Sequence, residues 1–247
     1  ITASILSKKL AENLNALVMD VKFGKAAFMR SRENALALAQ SIVSLAGECG
    51  VKTTALLTGM DAPLGRAAGN WLEVQEAVAC LEGNGPEDLE KLVIACATHL
   101  PGGDTERTRE ELASGRPRAK FDALLAAQGA DLDEFTAKLK KDSSAPVVKE
   151  FVSPVGGFFR QCDARIIGEL VRDLGGGRLA QDSVIQTEVG VDQLPRPGAA
   201  VRAGEVLARV HAMTEESADT AFGRLSEAII ISTDPPELPV LVVDVVD

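Results

Sequence analysis

The run ALVMDVK, residues 16–22, decides the fold. It is short and mainly apolar and it ends close to Gly24, which is typical of a strand buried on both faces of a parallel sheet. Residues 31–47 then have the spacing of an amphipathic helix, and KTTALLT at residues 52–58 has the character of a second buried strand. A strand, a helix and a strand in this order form a βαβ unit, so the sequence predicts an α/β fold with right-handed crossovers.

The segments on either side of this unit are predicted to be mainly helical. Residues 2–14 have helical spacing, with Thr2 or Ser4 as the residue that caps the helix. A loop rich in turn formers follows the second strand, from Gly59 to Gly69. Beyond that loop, helices are predicted over residues 70–81, 87–99 and 104–141, the last with an interruption at residues 114–117.

The character of the sequence changes after Pro146, where short β-like runs surround one helix at about residues 163–174. These runs cover residues 147–152, 184–191, 206–210 and 240–246. Such α+β patterning predicts a boundary near Lys149, with an α/β domain over residues 15–149 and a C-terminal α+β subdomain over residues 150–247.

The run GAAVRAGEVLARV, residues 198–210, resembles the second half of a lipoyl- or biotinyl-type β-sandwich. Carrier domains of that type need an exposed lysine for attachment, and no lysine follows Lys149. We therefore exclude a carrier function but keep the fold. The predicted architecture is a mixed sheet flanked by helices, with a C-terminal subdomain that is barrel-sandwich-like.

Composition excludes several classes of protein. The 247 residues carry a formal charge of −10, and they contain no Lys/Arg block of the kind that binds nucleic acid. No apolar run approaches the roughly 18 residues that span a membrane. The four cysteines lie far apart and only two histidines are present, which argues against a zinc site and for reduced thiols in a cytoplasmic protein.

Ser4 and Lys8 are the first candidates for chemistry. They lie four residues apart, which puts a hydroxyl and an ammonium one turn apart on the same face of the opening helix. Together they can donate hydrogen bonds to two carbonyl oxygens of a planar ring, and Lys8 can stabilise negative charge on a departing heterocycle. The alternative is an ordinary solvated face.

A second group of candidates follows the two predicted strands. Asp20 and Lys22 lie at the C-terminal end of the first strand, where open α/β sheets place their ligands, although a strand-end ion pair explains them as well. The loop after the second strand has neither a GxGxxG nor a Walker pattern. Its backbone carbonyls, together with Glu76 on the next helix, can hold a hard cation, and the alternative is a tight strand-to-helix loop.

Several segments, taken together and in order, resemble one family. ITASILSKKLAE, LVMDVKFGKAAFM and LLTGMDAPLGRAAGNWLEVQEAV are similar to consecutive signature segments of thymidine and pyrimidine-nucleoside phosphorylases. The later stretches FVSPVGGFFRQCDARIIGELVRDLGGGR and VGVDQLPRPGAAVRAGEVLARVHA resemble the C-terminal domain of that family. The resemblance is clearest over residues 1–212.

The resemblance implies an activity and an architecture. Members of the family cleave the N-glycosidic bond of a pyrimidine (deoxy)nucleoside with inorganic phosphate as co-substrate and no organic cofactor. They combine a small helical domain, of which residues 1–14 would be the remnant, with a larger α/β domain across an active-site cleft. They are usually homodimers.

Particular residues match the family's binding positions. The resemblance implies that Ser4 and Lys8 contact the pyrimidine ring, with Lys8 in the catalytic role. It also implies a potassium ion held by the carbonyls of Leu64 and Ala67 and the carboxylate of Glu76. The remaining ligands would come from the family's phosphate loop.

The chain also departs from the family pattern. It contains no KHSTGG-like phosphate loop and begins at Ile1 rather than Met, from which we expect a longer natural protein and an isolated chain without turnover. Ala26 replaces the usual second glycine of its segment, and Trp71 is unusually bulky. A non-catalytic homologue that serves as a binding module is one alternative function, and a phosphoribosyltransferase of related architecture is another.

Overall fold

A computed structural model describes residues 1–247 and contains nine α-helices and nine β-strands. The helices are α1 Thr2–Leu10, α2 Arg32–Glu48, α3 Asn70–Leu81, α4 Glu87–Thr98, α5 Thr105–Ala113, α6 Arg116–Ala127, α7 Leu132–Leu139, α8 Ala164–Val171 and α9 Glu215–Ala228. The strands are β1 Ala16–Phe23, β2 Lys52–Gly59, β3 Val147–Val152, β4 Gly157–Cys162, β5 Gly190–Asp192, β6 Ala200–Val201, β7 Val206–Ala212, β8 Ile229–Ser232 and β9 Val242–Val246. The predicted α/β class, with mixed sheets flanked by helices, is confirmed.

The chain forms two compact units. The first comprises Ile1–Asp61, Glu90–Glu110 and Pro239–Asp247, and the second comprises Ala62–Leu89 and Glu111–Leu238. The predicted domains have boundaries at residues 14 and 149. The division into compact units does not test those boundaries, so they stay a prediction.

The first unit contains the predicted βαβ arrangement. Strands β1 and β2 pair in parallel, with Ala16 opposite Lys52, and α2 connects them. The Ser31 hydroxyl caps α2 by accepting a hydrogen bond from the backbone N–H of Asn34. Six consecutive residues of β2 are buried, as expected for a strand covered on both faces.

The third strand of this sheet, β9, comes from the end of the chain. It pairs antiparallel with β2, and Asp247 accepts a hydrogen bond from the Thr54 hydroxyl at 2.7 Å. The predicted strand at residues 240–246 is therefore confirmed. Its pairing with the first sheet could not be predicted from local patterning.

Helix α1 begins at Thr2 with Ile1 as its N-cap residue, and no side chain caps it, so the predicted cap at Thr2 or Ser4 is wrong. The physical reason is position, because both residues lie inside the first turn, and the Thr2 hydroxyl hydrogen-bonds to that of Ser41 instead. Leu6 anchors the helix and is 1% exposed.

The second unit contains two antiparallel three-stranded sheets, with strand orders β3-β7-β5 and β6-β4-β8. The amphipathic helices α8 and α9 contribute to its apolar core. Residues 104–139 form three helices rather than one interrupted helix, because a second break occurs at residues 128–131.

The predicted strand over residues 184–191 is wrong for most of its length, since β5 begins only at Gly190. The backbone of the preceding segment bonds to isolated partners and not to a neighbouring strand. Gln186 N–H donates to the carbonyl of Gly175, and the carbonyl of Thr187 accepts from Trp71 N–H.

None of the helices is both long enough and apolar enough to cross a membrane.

Candidate functional site

The structure places Ser4 and Lys8 on the exposed side of α1. Neither the Ser4 hydroxyl nor the Lys8 ammonium has a partner in the protein, although the Ser4 carbonyl accepts a hydrogen bond from the Ser7 hydroxyl at 3.2 Å. Leu6, between them in sequence, is buried in the core of the first unit. One neutral donor and one charged donor are thus free to bind a ligand from solvent.

Asp20 and Lys22 form the strand-end ion pair that was the alternative interpretation, with Lys22 Nζ 2.8 Å from Asp20 Oδ2. Thr58, at the equivalent end of β2, connects them. Its hydroxyl donates to Asp20 and accepts from Lys22 Nζ at 3.1 Å. Burial raises the pKa of the nearby Cys96 thiol, and the negative charge of Asp20 raises it further. The side chains of Asp20, Lys22 and Thr58 bind one another. The Lys22 ammonium is therefore not free for a ligand, whereas the Lys8 ammonium is.

Ala26, one of the two departures from the family pattern, fits without strain. Its φ is not positive, so the position does not need a glycine, and its N–H donates to the Met60 carbonyl at 3.2 Å. The segment after β1 is therefore held in place despite the substitution.

Trp71, the other departure, packs in the second unit. Its ring makes an edge-to-face contact with Phe135 at a centroid distance of 5.7 Å, and Lys138 Nζ lies 4.2 Å from the ring centroid. Lys138 is itself paired with Glu188 at 2.8 Å. Aromatic and cation–π contacts thus accommodate the bulky side chain.

The loop at residues 64–69 lies against Glu76 of α3. Glu76 Oε1 accepts a hydrogen bond from Arg66 N–H at 2.7 Å, and a Cβ added to Gly65 would lie 2.0 Å from Oε2. Gly65 also has a φ of 76°, which favours glycine. The close approach of the carboxylate to this backbone therefore depends on a glycine at position 65.

Most backbone carbonyls of this loop accept a hydrogen bond. The Gly65 carbonyl accepts from the Arg66 guanidinium, and the Arg66 carbonyl accepts from Leu194 N–H at 3.0 Å. Those of Ala68 and Gly69 accept from Val191 and Glu73 N–H. The two that accept none are the carbonyls of Leu64 and Ala67. These are the two carbonyls predicted to bind a cation.

Glu76 is a half-buried carboxylate with a perturbed pKa. Burial raises the pKa of Glu76, and the negative charges of Asp88 and Glu73 act in the same direction. The Arg66 N–H and the positive charge of Arg66 oppose them without cancelling them. A cation beside Glu76 would be stabilised by a carboxylate that has too little compensation within the protein.

A cleft of about 590 Å³ opens next to this loop within the second unit. Its lining includes Ala67, Glu76, Asp142, Asp192 and Arg209. Arg209 bridges the two aspartates, with contacts of 2.6–2.9 Å. Burial acts to raise the pKa of Asp192, but the contacts of its carboxylate with His211 and the Arg209 guanidinium outweigh it, and the pKa lies below its ordinary value.

Two residues of this region, Arg66 and Asp88, were not singled out from the sequence. The Arg66 guanidinium forms a two-pronged salt bridge with Asp88, and both N···O distances are 3.1 Å. The sequence offered two weak signals. Arg66 lies between the two predicted carbonyl ligands, and Asp88 lies at a predicted helix start, 22 positions after Arg66. Sequence spacing alone does not pair such residues.

Two family models match this chain. A glycosyl transferase family a/b domain matches residues 2–122, and a pyrimidine nucleoside phosphorylase C-terminal domain matches residues 158–232. Both matches fall on the segments that carried the resemblance, and they occur in the expected order.

Curated relatives match nearly the whole chain. A thymidine phosphorylase of Colwellia psychrerythraea is 41% identical over 97% of this chain and 57% of its own length. A thymidine phosphorylase of Mesorhizobium japonicum is 40% identical over 96% of this chain and 56% of its own length. A pyrimidine-nucleoside phosphorylase of Geobacillus stearothermophilus is 34% identical over 99% of this chain and 58% of its own length. The chain spans a little over half the length of these relatives.

Proposed function

Because the chain belongs to the thymidine and pyrimidine-nucleoside phosphorylase family, we propose that it acts within a longer enzyme that phosphorolyses pyrimidine (deoxy)nucleosides. The products would be the free base and (deoxy)ribose 1-phosphate. The structural observation that carries the proposal is the pair of unpartnered donors, Ser4 and Lys8, one turn apart on an exposed helix face.

In the proposed reaction, a phosphate oxygen bonds to C1′ of the sugar while the bond between C1′ and the ring nitrogen breaks. The electron pair of the broken bond goes to the base, which becomes negatively charged until it is protonated. Ser4 and Lys8 donate to the ring carbonyls, and Lys8 is the catalytic residue because its charge opposes the charge that develops on the base. A charge-assisted hydrogen bond contributes about 1.5–3 kcal/mol, which is roughly one to two powers of ten in rate.

The proposal includes a potassium ion held by the carbonyls of Leu64 and Ala67 and the carboxylate of Glu76. The residues fit such an ion, because two carbonyls lack a donor and the carboxylate is only partly compensated. When bound, the ion would supply a fixed positive charge to the loop. The chain itself would supply three oxygen ligands there.

The remaining parts of the proposal concern organisation. We propose a homodimer in the cytoplasm, with inorganic phosphate as co-substrate and no organic cofactor. We also propose that residues 1–14 belong to a helical domain, residues 15–149 to the α/β domain and residues 150–247 to the C-terminal subdomain.

The test is product analysis with the full-length protein. Incubation with thymidine or uridine should release thymine or uracil and form the pentose 1-phosphate in equal amounts, but only when inorganic phosphate is present. Diphosphate with a phosphoribosyl acceptor serves as the control for the transferase alternative. Base release without phosphate, or turnover with diphosphate alone, would contradict the proposal.

The 247-residue chain provides a second comparison. Since it contains no KHSTGG-like run, we predict that it releases no base by itself under the same conditions. Measurable turnover by the isolated chain would show that the phosphate is bound by residues within it.

A further inference from the structure

Arg66 lies in sequence between the two unpaired carbonyls of the loop, and both its backbone and its guanidinium form hydrogen bonds. Its N–H donates to Glu76 Oε1 at 2.7 Å, and its carbonyl accepts from Leu194 N–H at 3.0 Å. Its guanidinium donates to the Gly65 carbonyl and forks onto Asp88. These hydrogen bonds restrict the backbone on both sides of Arg66 to one conformation.

Asp88 completes this set of contacts. Its Oδ2 accepts from Gly65 N–H at 3.3 Å as well as from the guanidinium of Arg66. The side chains of Arg66 and Asp88 are 21% and 27% exposed, so the pair is screened from solvent more than a surface ion pair is. The ion pair between Arg66 and Asp88 links the loop at residues 64–69 to the first turn of α4.

The Arg66–Asp88 pair also reduces the electrostatic repulsion between Arg66 and a cation bound nearby. A guanidinium adjacent to a cation site repels the cation, and this repulsion is stronger in a partly buried position than in water. Asp88 neutralises that charge with a fork geometry that fixes the guanidinium plane. The partly compensated carboxylate of Glu76 then remains available to the cation.

We propose that Arg66 and Asp88 are positioning residues that set the carbonyls of Leu64 and Ala67 beside Glu76 for potassium. The inference rests on the cation part of the proposed function. Lysine cannot replace Arg66, because an ammonium keeps the charge but loses the planar fork and the reach to the Gly65 carbonyl. Loss of such an outer contact typically lowers metal affinity about 10- to 100-fold.

The test is the potassium dependence of thermal unfolding of the full-length protein. Melting is followed in increasing potassium chloride, with choline chloride keeping the ionic strength constant. We compare wild type with Arg66→Lys, Asp88→Asn and a matched control, Arg116→Lys. Arg116 forms the same kind of fork with Glu111, at 2.9 and 2.5 Å, on an exposed surface of the same unit.

We expect the half-saturating potassium concentration to rise about tenfold or more in Arg66→Lys and in Asp88→Asn, and to stay unchanged in Arg116→Lys. Asp88→Asn should be the weaker binder of the two, because it leaves the Arg66 charge beside the site. If a single variant does not fold, the double variant Arg66→Met with Asp88→Met keeps the volume without an unpaired charge and should show the same loss.

Equal half-saturation in Arg66→Lys and Arg116→Lys would overturn the positioning role. The absence of any potassium-specific stabilisation in wild type would overturn it as well. Either result leaves the phosphorolysis assay unaffected, so failure of this inference is distinguishable from failure of the proposed function.

Discussion

Helix α1 and the loop at residues 64–69 present their polar groups in opposite ways. On α1, the Ser4 hydroxyl and the Lys8 ammonium are exposed and bind nothing in the protein. In the loop, four of the six carbonyls accept a hydrogen bond, and the two exceptions are the predicted cation ligands. The first region presents its donors to solvent, whereas most polar backbone groups of the second are hydrogen-bonded within the protein.

The difference has a physical cause in each region. Exposed side chains lose little by remaining unpaired, because water satisfies them, so α1 can present its donors at low cost. The backbone of the loop packs against a half-buried carboxylate and has less access to water, so its polar groups depend on hydrogen bonds within the protein. We therefore expect mutations in the loop to change stability and mutations on α1 to change activity.

Gly69→Ala is expected to have the largest effect, because it disrupts the loop itself. Gly69 has a φ of 140°, and an added Cβ would lie 2.6 Å from the Val189 carbonyl oxygen. Backbone strain costs about 1–3 kcal/mol and overpacking about as much again, so the free energy of unfolding should fall by roughly 2–6 kcal/mol. Urea denaturation followed by circular dichroism measures this.

The matched control is Gly83→Ala, where φ is 78° and nothing lies within 4 Å of the added Cβ. This variant has the backbone strain without the steric clash, so its free energy of unfolding should fall distinctly less than that of Gly69→Ala. Equal losses in the two variants would mean that the loop is not tightly formed.

Lys8→Met is expected to have the next largest effect, but on activity. In the full-length enzyme, kcat/KM for thymidine should fall about 10- to 100-fold, because a charge-assisted hydrogen bond worth about 1.5–3 kcal/mol is removed. Stability should be unchanged. Lys9→Met is the control, since Lys9 is also an exposed lysine but lies on a different face of α1. A similar loss in both variants would remove the specific role of Lys8.

Ser4→Ala should have a smaller effect on the same reaction. Its hydroxyl is a neutral donor, and such a hydrogen bond contributes about 0.5–1.5 kcal/mol, or roughly two- to tenfold in kcat/KM. The ratio of thymidine to uridine turnover should stay constant, because both bases present the same ring carbonyls. A loss larger than that of Lys8→Met would reverse the assignment of roles.

Glu76→Gln should change stability less than Gly69→Ala does, and its signature is a pH dependence of the free energy of unfolding. The raised pKa of Glu76 means that the folded state holds this proton more tightly than the unfolded chain does. Its contribution to stability is fully present below the ordinary pKa of 4.5 and is lost as pH rises through the higher folded value.

Wild type should therefore lose stability relative to Glu76→Gln as pH rises from 4.5 towards neutral. Glutamine still offers an acceptor to Arg66 N–H, so the loop itself should persist. Asp192 has a lowered pKa and acts with the opposite sign, losing stability only as pH falls below its ordinary value of 3.8. Parallel pH profiles for wild type and Glu76→Gln would contradict the perturbed pKa of Glu76.

The sequence predicted best where local pattern and tertiary environment agree. Strand β1 is a mainly apolar run, six consecutive residues of β2 are buried, and residues 31–47 have helical spacing, so periodicity and propensity identify these elements. Local pattern failed at Val184 and its neighbours, whose backbone bonds to isolated partners rather than to a strand. Helix α9 was not predicted at all, because alanine and polar residues dominate it and its apolar stripe is narrow.

The candidate site shows the same limit. Ser4, Lys8 and Glu76 were predicted as separate residues with chemical roles, and those roles remain predictions. The Arg66–Asp88 pair joins positions far apart in sequence and depends on how the loop meets the first turn of α4. Only the folded structure contains that information.

The most direct test of the contrast between the two regions is hydrogen–deuterium exchange of the full-length protein, with and without thymidine and phosphate. We predict that amides of Gly65, Arg66, Ala68 and Gly69 are protected in both conditions, since each donates to a partner within the protein. Peptides that cover residues 2–10 should gain protection only with substrate. Rapid exchange throughout the loop, or no response of α1 to substrate, would contradict it.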